Sequence, residues 1–170
     1  MRSRIRSPVG CEETFMPRVF ERSLVLPSPL QEVFAFFADP RNLEELTPPW
    51  LSFRILREPP IPLEEGTTID YALRVRGLPL RWRSRITTWN PPHEFVDEQV
   101  RGPYRQWVHS HTFEGVEGGT RVGDRVLYRV LGGPLVDRLL VRRDVERIFD
   151  FRSRALALRF GSVVDALTPR

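Results

Sequence analysis

Two histidines and an aspartate on neighbouring segments are the residues of this sequence best suited to chemistry. His109 and His111 are separated by one residue in the segment 104–114, in which apolar and polar residues alternate. Asp124 lies in the next alternating segment, 120–131. A histidine oriented by a carboxylate can move a proton near neutral pH, so His111 as a base with Asp124 orienting it is one hypothesis. No serine or cysteine nucleophile accompanies the pair in a recognisable motif. The alternative interpretation is a cross-strand hydrogen bond with a structural role alone.

The same side chains suit a metal ion, because alternate residues of a strand point to the same side. His109, His111 and Asp124 would supply the three protein ligands that a catalytic zinc site needs beside an open position. Such spacing is common by chance, and the remaining histidine, His93, falls in a predicted turn. We therefore predict no resident metal and no other cofactor. A metal site that uses the paired histidines stays a lesser alternative.

Arg105 is the arginine that we expect to act on a ligand. It lies on the segment that carries the histidines, and a guanidinium can bind a carboxylate or an enolate through two parallel hydrogen bonds. In a catalytic site it would stabilise a developing enolate. An internal ion pair with Asp97, or a contact at the rim of a pocket, explains the same residue without chemistry.

Every basic residue of the chain is an arginine. The 170 residues include 26 basic ones, none of them lysine, and 22 acidic ones, for a net charge of +4. Without lysine there is no Schiff base, no Walker A phosphate loop and no kinase-type lysine, so those enzyme classes are excluded. The single cysteine, Cys11, excludes a disulfide framework and suits a reducing, cytoplasmic location. No apolar run approaches ~18 residues, so we predict no membrane span.

Rows of arginine at alternate positions predict an outer face of the sheet in contact with solvent. The rows lie at 81, 83 and 85 and at 121, 125 and 129, with acidic residues interleaved. Nucleic-acid-binding domains usually gather their basic residues on one face or in one run. We therefore predict no nucleic-acid partner, and the sequence specifies no oligomeric state.

Period-two alternation, interrupted by proline and glycine, predicts a mainly antiparallel β-structure. Strands are predicted at 18–26, 51–57, 67–76, 80–89, 94–101, 104–114 and 120–131. Helices are predicted at 29–38 with Ser28 as N-cap, at 42–46, and from Pro134 to about Phe160. Sequential strands joined by tight turns, followed by one long amphipathic helix, indicate an α+β fold.

The chain length predicts a single domain. We place this domain at residues 16–162, after a disordered tail at 1–15 and before a short tail at 163–170. Met16 directly precedes the first strand and is an alternative start of translation.

The order of the elements, one strand, two short helices, six strands and a long helix, resembles the helix-grip fold of the START/Bet v 1-like (SRPBCC) superfamily. Residues 95–128 (FVDEQVRGPYRQWVHSHTFEGVEGGTRVGDRVLY) and 141–152 (VRRDVERIFDFR) are similar to its polyketide cyclase/dehydrase-like ligand-binding branch. The likeness covers residues 17 to about 160. It implies a curved antiparallel sheet of about seven strands around the C-terminal helix, with an apolar to amphipathic cavity between them.

The strand register predicts which side chains line this cavity. Tight turns between the last three strands set His111 opposite Asp124 and Asp97 opposite Trp107, and place Tyr104 on the outer face. The inner face then mixes aromatic and polar side chains, as a small-molecule pocket requires. The predicted ligand-binding residues are Tyr71, Trp82, Phe95, Asp97, Gln99, Arg105, Trp107, His109, His111, Val126, Tyr128 and Phe149.

These observations lead to two hypotheses about function. The first is a carrier or sensor module that binds a small hydrophobic or aromatic molecule, lipid-like or polyketide-like, without chemistry. The second is an enzyme that cyclises or dehydrates a polyketide-like substrate with His111, Asp124 and Arg105 as its catalytic residues. We favour the first, because the inner face carries no complete catalytic set.

Overall fold

The computed structural model describes residues 16–161, so both predicted tails lie outside the described residues. The strands are β1 (Arg18–Leu26), β2 (Arg54–Ile55), β3 (Thr68–Val75), β4 (Leu78–Asn90), β5 (Glu94–Arg101), β6 (Tyr104–Val116) and β7 (Gly119–Val130). The helices are α1 (Leu30–Phe37), α2 (Gly133–Val136) and α3 (Arg142–Phe160). Among these residues, no helix is long and apolar enough to cross a bilayer.

The seven strands form one antiparallel sheet in the order β1-β7-β6-β5-β4-β3-β2. Every sequential pair from β2 to β7 is adjacent, as tight turns require. β1 pairs with β7 and forms one edge of the sheet. The predicted α+β fold, with a curved antiparallel sheet around a long C-terminal helix, is confirmed.

Two short elements differ from the prediction. The helix expected at 42–46 is a 3₁₀ turn at Pro40–Leu43, because the side chain of Asp39 accepts a hydrogen bond from the Arg41 backbone N–H and starts the turn early. The strand expected at 51–57 has only two residues. A 3₁₀ turn at Pro49–Leu51 precedes it, and Ser52 follows in the left-handed conformation with φ 47°.

The C-terminal helix, Gly133–Phe160, is continuous but not uniform. One turn of π-helix, Asp137–Val141, joins α2 to α3. The buried residues of α3 are Val145, Phe149, Arg152 and Leu156, which follow one another at spacings of four, three and four residues. This is the stripe that a helix turns towards a core, and Arg152 occupies a place where an apolar residue is usual.

Ion pairs hold the C-terminal helix against both sides of the sheet. Two of them start on the edge strand β1, and one starts in the turn between β3 and β4. The pairs are Arg18–Asp137, Arg22–Asp150 and Arg76–Asp144, with N–O distances of 2.6, 2.6 and 2.9 Å. The Arg22 and Arg76 pairs are partly exposed and add little stability individually, whereas the carboxylate of Asp137 is fully buried and needs the charge of Arg18. Together the three pairs connect the helix to both sides of the sheet.

The outer face of the sheet carries the predicted arginine rows. Several of these arginines meet acids on a neighbouring strand, as in Arg83–Asp70 at 2.7 Å and Arg125–Glu21 at 3.0 Å. Five of the six arginines of these rows are exposed, and Arg129 is half-buried. The face is therefore solvated and crossed by acids, except at Arg129.

The apolar core forms two groups. One packs α1 on the sheet and includes Phe34, Phe37, Phe95, Phe113, Val122 and Leu156. The other includes Val126, Tyr128, Val130, Val145 and Phe149. Asp124 lies between these groups on β7, and Arg152 lies between them on α3. A polar layer therefore crosses the core at the level of these two residues.

Candidate functional site

A cavity of about 320 Å³ lies between the sheet and the C-terminal helix. Most of its lining is aromatic or aliphatic, with a few polar groups at one wall, as is usual for small-molecule sites. The predicted ligand-binding residues that line it are Tyr71, Trp82, Phe95, Asp97, Trp107, His109, His111 and Phe149. Val126 and Tyr128 are buried but belong to the packed core beside the cavity.

The register of β5 on β6 differs from the prediction by two residues. Asp97 lies opposite His109 rather than Trp107, and Phe95 lies opposite His111. The hairpin does not close as tightly as predicted, because the side chain of Gln99 bonds the backbone of Tyr104. The Gln99 amide donates to the Tyr104 carbonyl at 2.8 Å, and its oxygen accepts from the Tyr104 N–H at 3.2 Å. Gln99 therefore acts on the turn and does not line the cavity. A shift of two residues by itself leaves Phe95 and Asp97 on their predicted face.

The predicted inward position of Arg105 is wrong. An irregularity in the pairing of β6 with β7 falls between Tyr104 and Gln106, so the alternation of faces changes there. Arg105 is exposed, and Tyr104, which was predicted outside, lines the cavity. Arg105 therefore forms no ion pair with Asp97.

Asp124 is the centre of the polar layer. Its Oδ1 lies 2.9 Å from Nε2 of His109 and 3.2 Å from Nδ1 of His111. Its Oδ2 accepts a hydrogen bond from Nε of Arg152 at 3.2 Å. The register-based pairing of His111 with Asp124 is confirmed, but the shorter contact is the one to His109.

Asp97 extends this layer to the sheet strands on the other side of the histidines. Its Oδ2 lies 3.0 Å from Nε2 of His111. Its Oδ1 accepts a hydrogen bond from Ser84 at 3.1 Å, and Ser84 accepts one from the indole N–H of Trp82 at 3.1 Å. The polar cluster, defined as Ser84, Asp97, His109, His111, Asp124 and Arg152, thus draws on four strands and α3.

The hydrogen bonds assign the ring protons of both histidines. A guanidinium only donates, so the 3.2 Å contact from Nη2 of Arg152 makes Nδ1 of His111 an acceptor. The His111 proton then lies on Nε2 and is donated to Asp97. His109 donates from Nε2 to Asp124, which leaves its Nδ1 facing Asp97 Oδ2 at 3.6 Å without a hydrogen bond.

The electrostatics of the cluster favour ionised carboxylates and a neutral His109. Burial, helped by the neighbouring His111, lowers the pKa of His109 to about 4. Burial acts to raise the pKa of Asp124, but the charge of Arg152 and the hydrogen bond from His109 outweigh it and hold that pKa well below its usual value. Burial acts to raise the pKa of Asp97 as well, but the hydrogen bonds from His111 and Ser84 and the proximity of both histidines together outweigh it and lower that pKa. Two carboxylates thus face one guanidinium.

Aromatic side chains form the rest of the cavity wall. The ring of Trp82 packs edge-on against Trp107 at 5.4 Å and stacks on Tyr71 at 5.9 Å, and Trp107 contacts Tyr104 at 4.7 Å. The ring of His111 stacks on Phe95 at 4.1 Å. The cavity therefore has an aromatic box, Tyr71, Trp82, Tyr104 and Trp107, beside the polar cluster.

Arg152 is the charged site residue that the sequence interpretation missed. The signal was present, because a charged residue at a core position of an amphipathic helix must have a buried partner. Its exposure is 7%, and its guanidinium also lies 5.0 Å from the ring of Phe37. Ser84 was placed on the correct face of its strand but was not predicted as a site residue.

The comparisons with known proteins agree with this architecture. A sequence model of the family "polyketide cyclase / dehydrase and lipid transport" matches residues 26–157. A comparison with curated proteins gives no match. Protein CV1439 from Chromobacterium violaceum has a similar structure, with a TM-score of 0.67 and 16% identity over 85% of this chain and 99% of that one.

Two other solved structures share the fold at low identity. The aromatase/cyclase ZhuI from Streptomyces sp. R1128 has a TM-score of 0.67 and 16% identity, covering 84% of this chain and 93% of its own. Ara h 8.0201 has a TM-score of 0.61 and 18% identity, covering 85% and 97%. At such identities these structures show the fold alone, while the family match spans most of the domain. The chain belongs to the polyketide cyclase/dehydrase and lipid-transport family, within the START/Bet v 1-like (SRPBCC) superfamily.

Proposed function

We propose that this protein binds a small, mainly aromatic molecule that carries one uncharged polar group. The observation that supports this proposal is the placement of a buried polar cluster beside an aromatic box in one cavity. The box can stack on a ring system, and the cluster offers hydrogen-bonding groups that fix its orientation. Apolar walls with a few convergent polar groups are the usual arrangement of a specific ligand site.

The volume and charge of the cavity limit the class of ligand. A volume of about 320 Å³ is near the lower end of the range for small-molecule sites, roughly 300–1,000 Å³. It suits a fused ring system or one short chain rather than a lipid with two acyl chains. The cluster holds two carboxylates against one guanidinium, so an anionic group would be repelled at this end.

The single arginine of the cluster, Arg152, already has partners within the protein. Arg152 donates to Asp124 and to His111, so its positive charge is already offset by a buried carboxylate, and a ligand carboxylate would add a further negative charge to the cluster. The exposed Arg105 offers no replacement. A phenol, alcohol or ketone is therefore a better match than a fatty acid.

Catalysis is the second candidate. The family description names cyclases and dehydrases, and the fold is shared with an aromatase/cyclase. His111, predicted as the base, has both ring nitrogens engaged by Asp97 and by Arg152, which favours binding over chemistry. Native mass spectrometry of freshly purified protein separates the two. A bound molecule that keeps its mass during incubation supports a carrier, and one that changes by loss of water supports an enzyme.

Replacing Trp107 with alanine is expected to weaken ligand binding at least about tenfold. Trp107 contacts Trp82 and Tyr104 in the aromatic box, and its removal takes away stacking surface and most of one wall. The affinity is measured by fluorescence titration with N-phenyl-1-naphthylamine, an uncharged aromatic probe.

The matched control is Trp50→Ala. Trp50 is half exposed and packs on Phe151, outside the cavity lining, so probe affinity should stay within about twofold of the parent. Equal affinity of the parent and the Trp107→Ala protein, with both folded by circular dichroism, would show that the probe and the proposed ligand do not use this cavity.

A further inference from the structure

We propose that Asp97, His109 and His111 bind a divalent transition-metal ion, such as Zn²⁺ or Fe²⁺, at the wall of the cavity. The sequence had suggested Asp124 as the carboxylate ligand beside the two histidines. The structure assigns that role to Asp97 instead, since all three proposed ligands line the cavity and Asp124 does not. The proposal does not depend on the identity of any organic ligand.

The ligand atoms are already close to the spacing of a coordination sphere. Oδ2 of Asp97 lies 3.0 Å from Nε2 of His111 and 3.6 Å from Nδ1 of His109. Each of the three residues offers a ligand atom that lies within 4.8 Å of those of the other two. Bonds of about 2.0–2.1 Å in a tetrahedral site place neighbouring ligand atoms roughly 3.3 Å apart. Only small adjustments are needed to admit an ion.

Asp124 supplies the outer support that such a site requires. A histidine that binds a metal through one ring nitrogen usually donates the other N–H to a carboxylate. Oδ1 of Asp124 lies 2.9 Å from Nε2 of His109 and 3.2 Å from Nδ1 of His111. These are the nitrogens opposite to the proposed ligand atoms. One carboxylate oxygen therefore orients both rings towards the same point beside Asp97.

The remaining coordination positions would face the cavity. Two histidines and one carboxylate leave a zinc or ferrous ion with open positions. The ion would then be in reach of a molecule bound against the aromatic box. Such open positions distinguish the proposed site from a structural metal site, in which the protein fills all four positions.

Charged side chains around the proposed site affect its affinity for a metal ion in opposite directions. Asp97 and Asp124 favour a cation. Arg152 opposes it, because its Nη2 lies 3.2 Å from Nδ1 of His111 and currently donates to that nitrogen. Metal binding through Nε2 of His111 moves the ring proton to Nδ1, so Arg152 would lose this acceptor but keep Asp124 Oδ2. The proposed site is thus one of moderate affinity.

The test is metal binding by the full-length, untagged chain after treatment with a chelator. Equilibrium dialysis against Zn²⁺ with elemental analysis gives the stoichiometry, and Co²⁺ gives a visible spectrum that reports the ligand geometry. We expect one ion per chain. Asp97→Asn and His109→Gln should each lower the affinity by more than about a hundredfold, and Asp124→Asn by roughly 10–100-fold.

Two control variants address other sources of binding. His93→Gln removes the exposed histidine, and Cys11→Ser removes the only thiol; neither should change the stoichiometry or the affinity. As a second measurement, Zn²⁺ at about 100 times its dissociation constant should raise the Tm of the parent by roughly 5–10 °C, and should not raise that of Asp97→Asn. Less than one-tenth of an ion per chain, or equal binding by the parent and both ligand variants, would overturn the proposal.

Discussion

Replacing Arg152 with methionine is expected to lower the free energy of unfolding by about 3–5 kcal/mol, because removing one partner of a buried ion pair leaves the other charge without compensation. Arg152 is 7% exposed and donates to Asp124 and to His111. Methionine fills much of the same volume, so the loss is electrostatic rather than a cavity effect. Urea unfolding with linear extrapolation measures it.

The matched control is Arg154→Met on the same helix. Arg154 is exposed and bonds only the backbone carbonyl of Asp150 in its own helix, so its replacement should stay within about 0.5 kcal/mol. A second variant tests the cause. Adding Asp124→Leu to Arg152→Met should cost less than the sum of the two single changes by about 2 kcal/mol or more, since the unpaired carboxylate is gone. Strictly additive losses would show that Arg152 acts through packing and not through its charge.

Much of the fold could be predicted because the strands obey simple rules. β1 and β5 begin and end where alternation and turn residues predict, at Arg18–Leu26 and Glu94–Arg101. Side chains on one face of an antiparallel strand must be apolar when a core covers that face. The element order and the long helix follow from the same pattern. The weaker predictions, at 42–46 and 51–57, fall where local hydrogen bonds and proline decide the geometry instead of periodicity.

The faces of the candidate site and the register of β6 on β7 were predictable, but the register of β5 on β6 was not. His109 and His111 are alternate residues of β6, and Asp124 lies on the same face of β7. A register error of two residues would therefore still turn all three side chains inward. Arg105 and Tyr104 exchange places because a local irregularity in β6 changes the alternation, and no residue type in that segment signals it. The contact of Asp97 with His111 depends on how the β5–β6 turn closes, which Gln99 decides through its side chain.

Arg152 shows a different limit of prediction from sequence. Helical periodicity shows that it lies on the buried stripe of α3, but the sequence does not say which strand supplies its partner. Only the packing of the helix across the sheet brings Arg152 to Asp124, and that packing is set by ion pairs at both sides. A site built from one helix and four strands is therefore a property of the assembled fold.

The polar cluster places charged side chains in the core, where apolar residues are usual. Apolar residues of similar volume in the place of a buried ion pair are often neutral or stabilising. Here the cluster separates two apolar groups that would otherwise form one continuous core. Proteins keep such features where function requires them at the expense of stability. The cavity that borders the cluster supplies that reason.

The second prediction with a large effect concerns ligand charge. In the metal-free protein, 2-naphthol is expected to bind at least about tenfold more tightly than 2-naphthoate, two molecules of the same ring system that differ in charge near neutral pH. A carboxylate must give up its water on entry, and it would meet Asp97 at the cavity wall with Asp124 behind the histidines. Displacement of N-phenyl-1-naphthylamine in the presence of a chelator measures both affinities.

Asp97→Asn should narrow this preference, because it removes the negative charge that lines the cavity and keeps the side-chain shape. The control is Asp70→Asn on the outer face, where Asp70 pairs with Arg83 at 2.7 Å, and it should leave the ratio of affinities unchanged. The chelator matters, since a bound divalent cation would reverse the charge of this wall and attract the carboxylate. Tighter binding of 2-naphthoate than of 2-naphthol by the metal-free parent would contradict the assigned charges of the cluster and, with them, the proposed class of ligand.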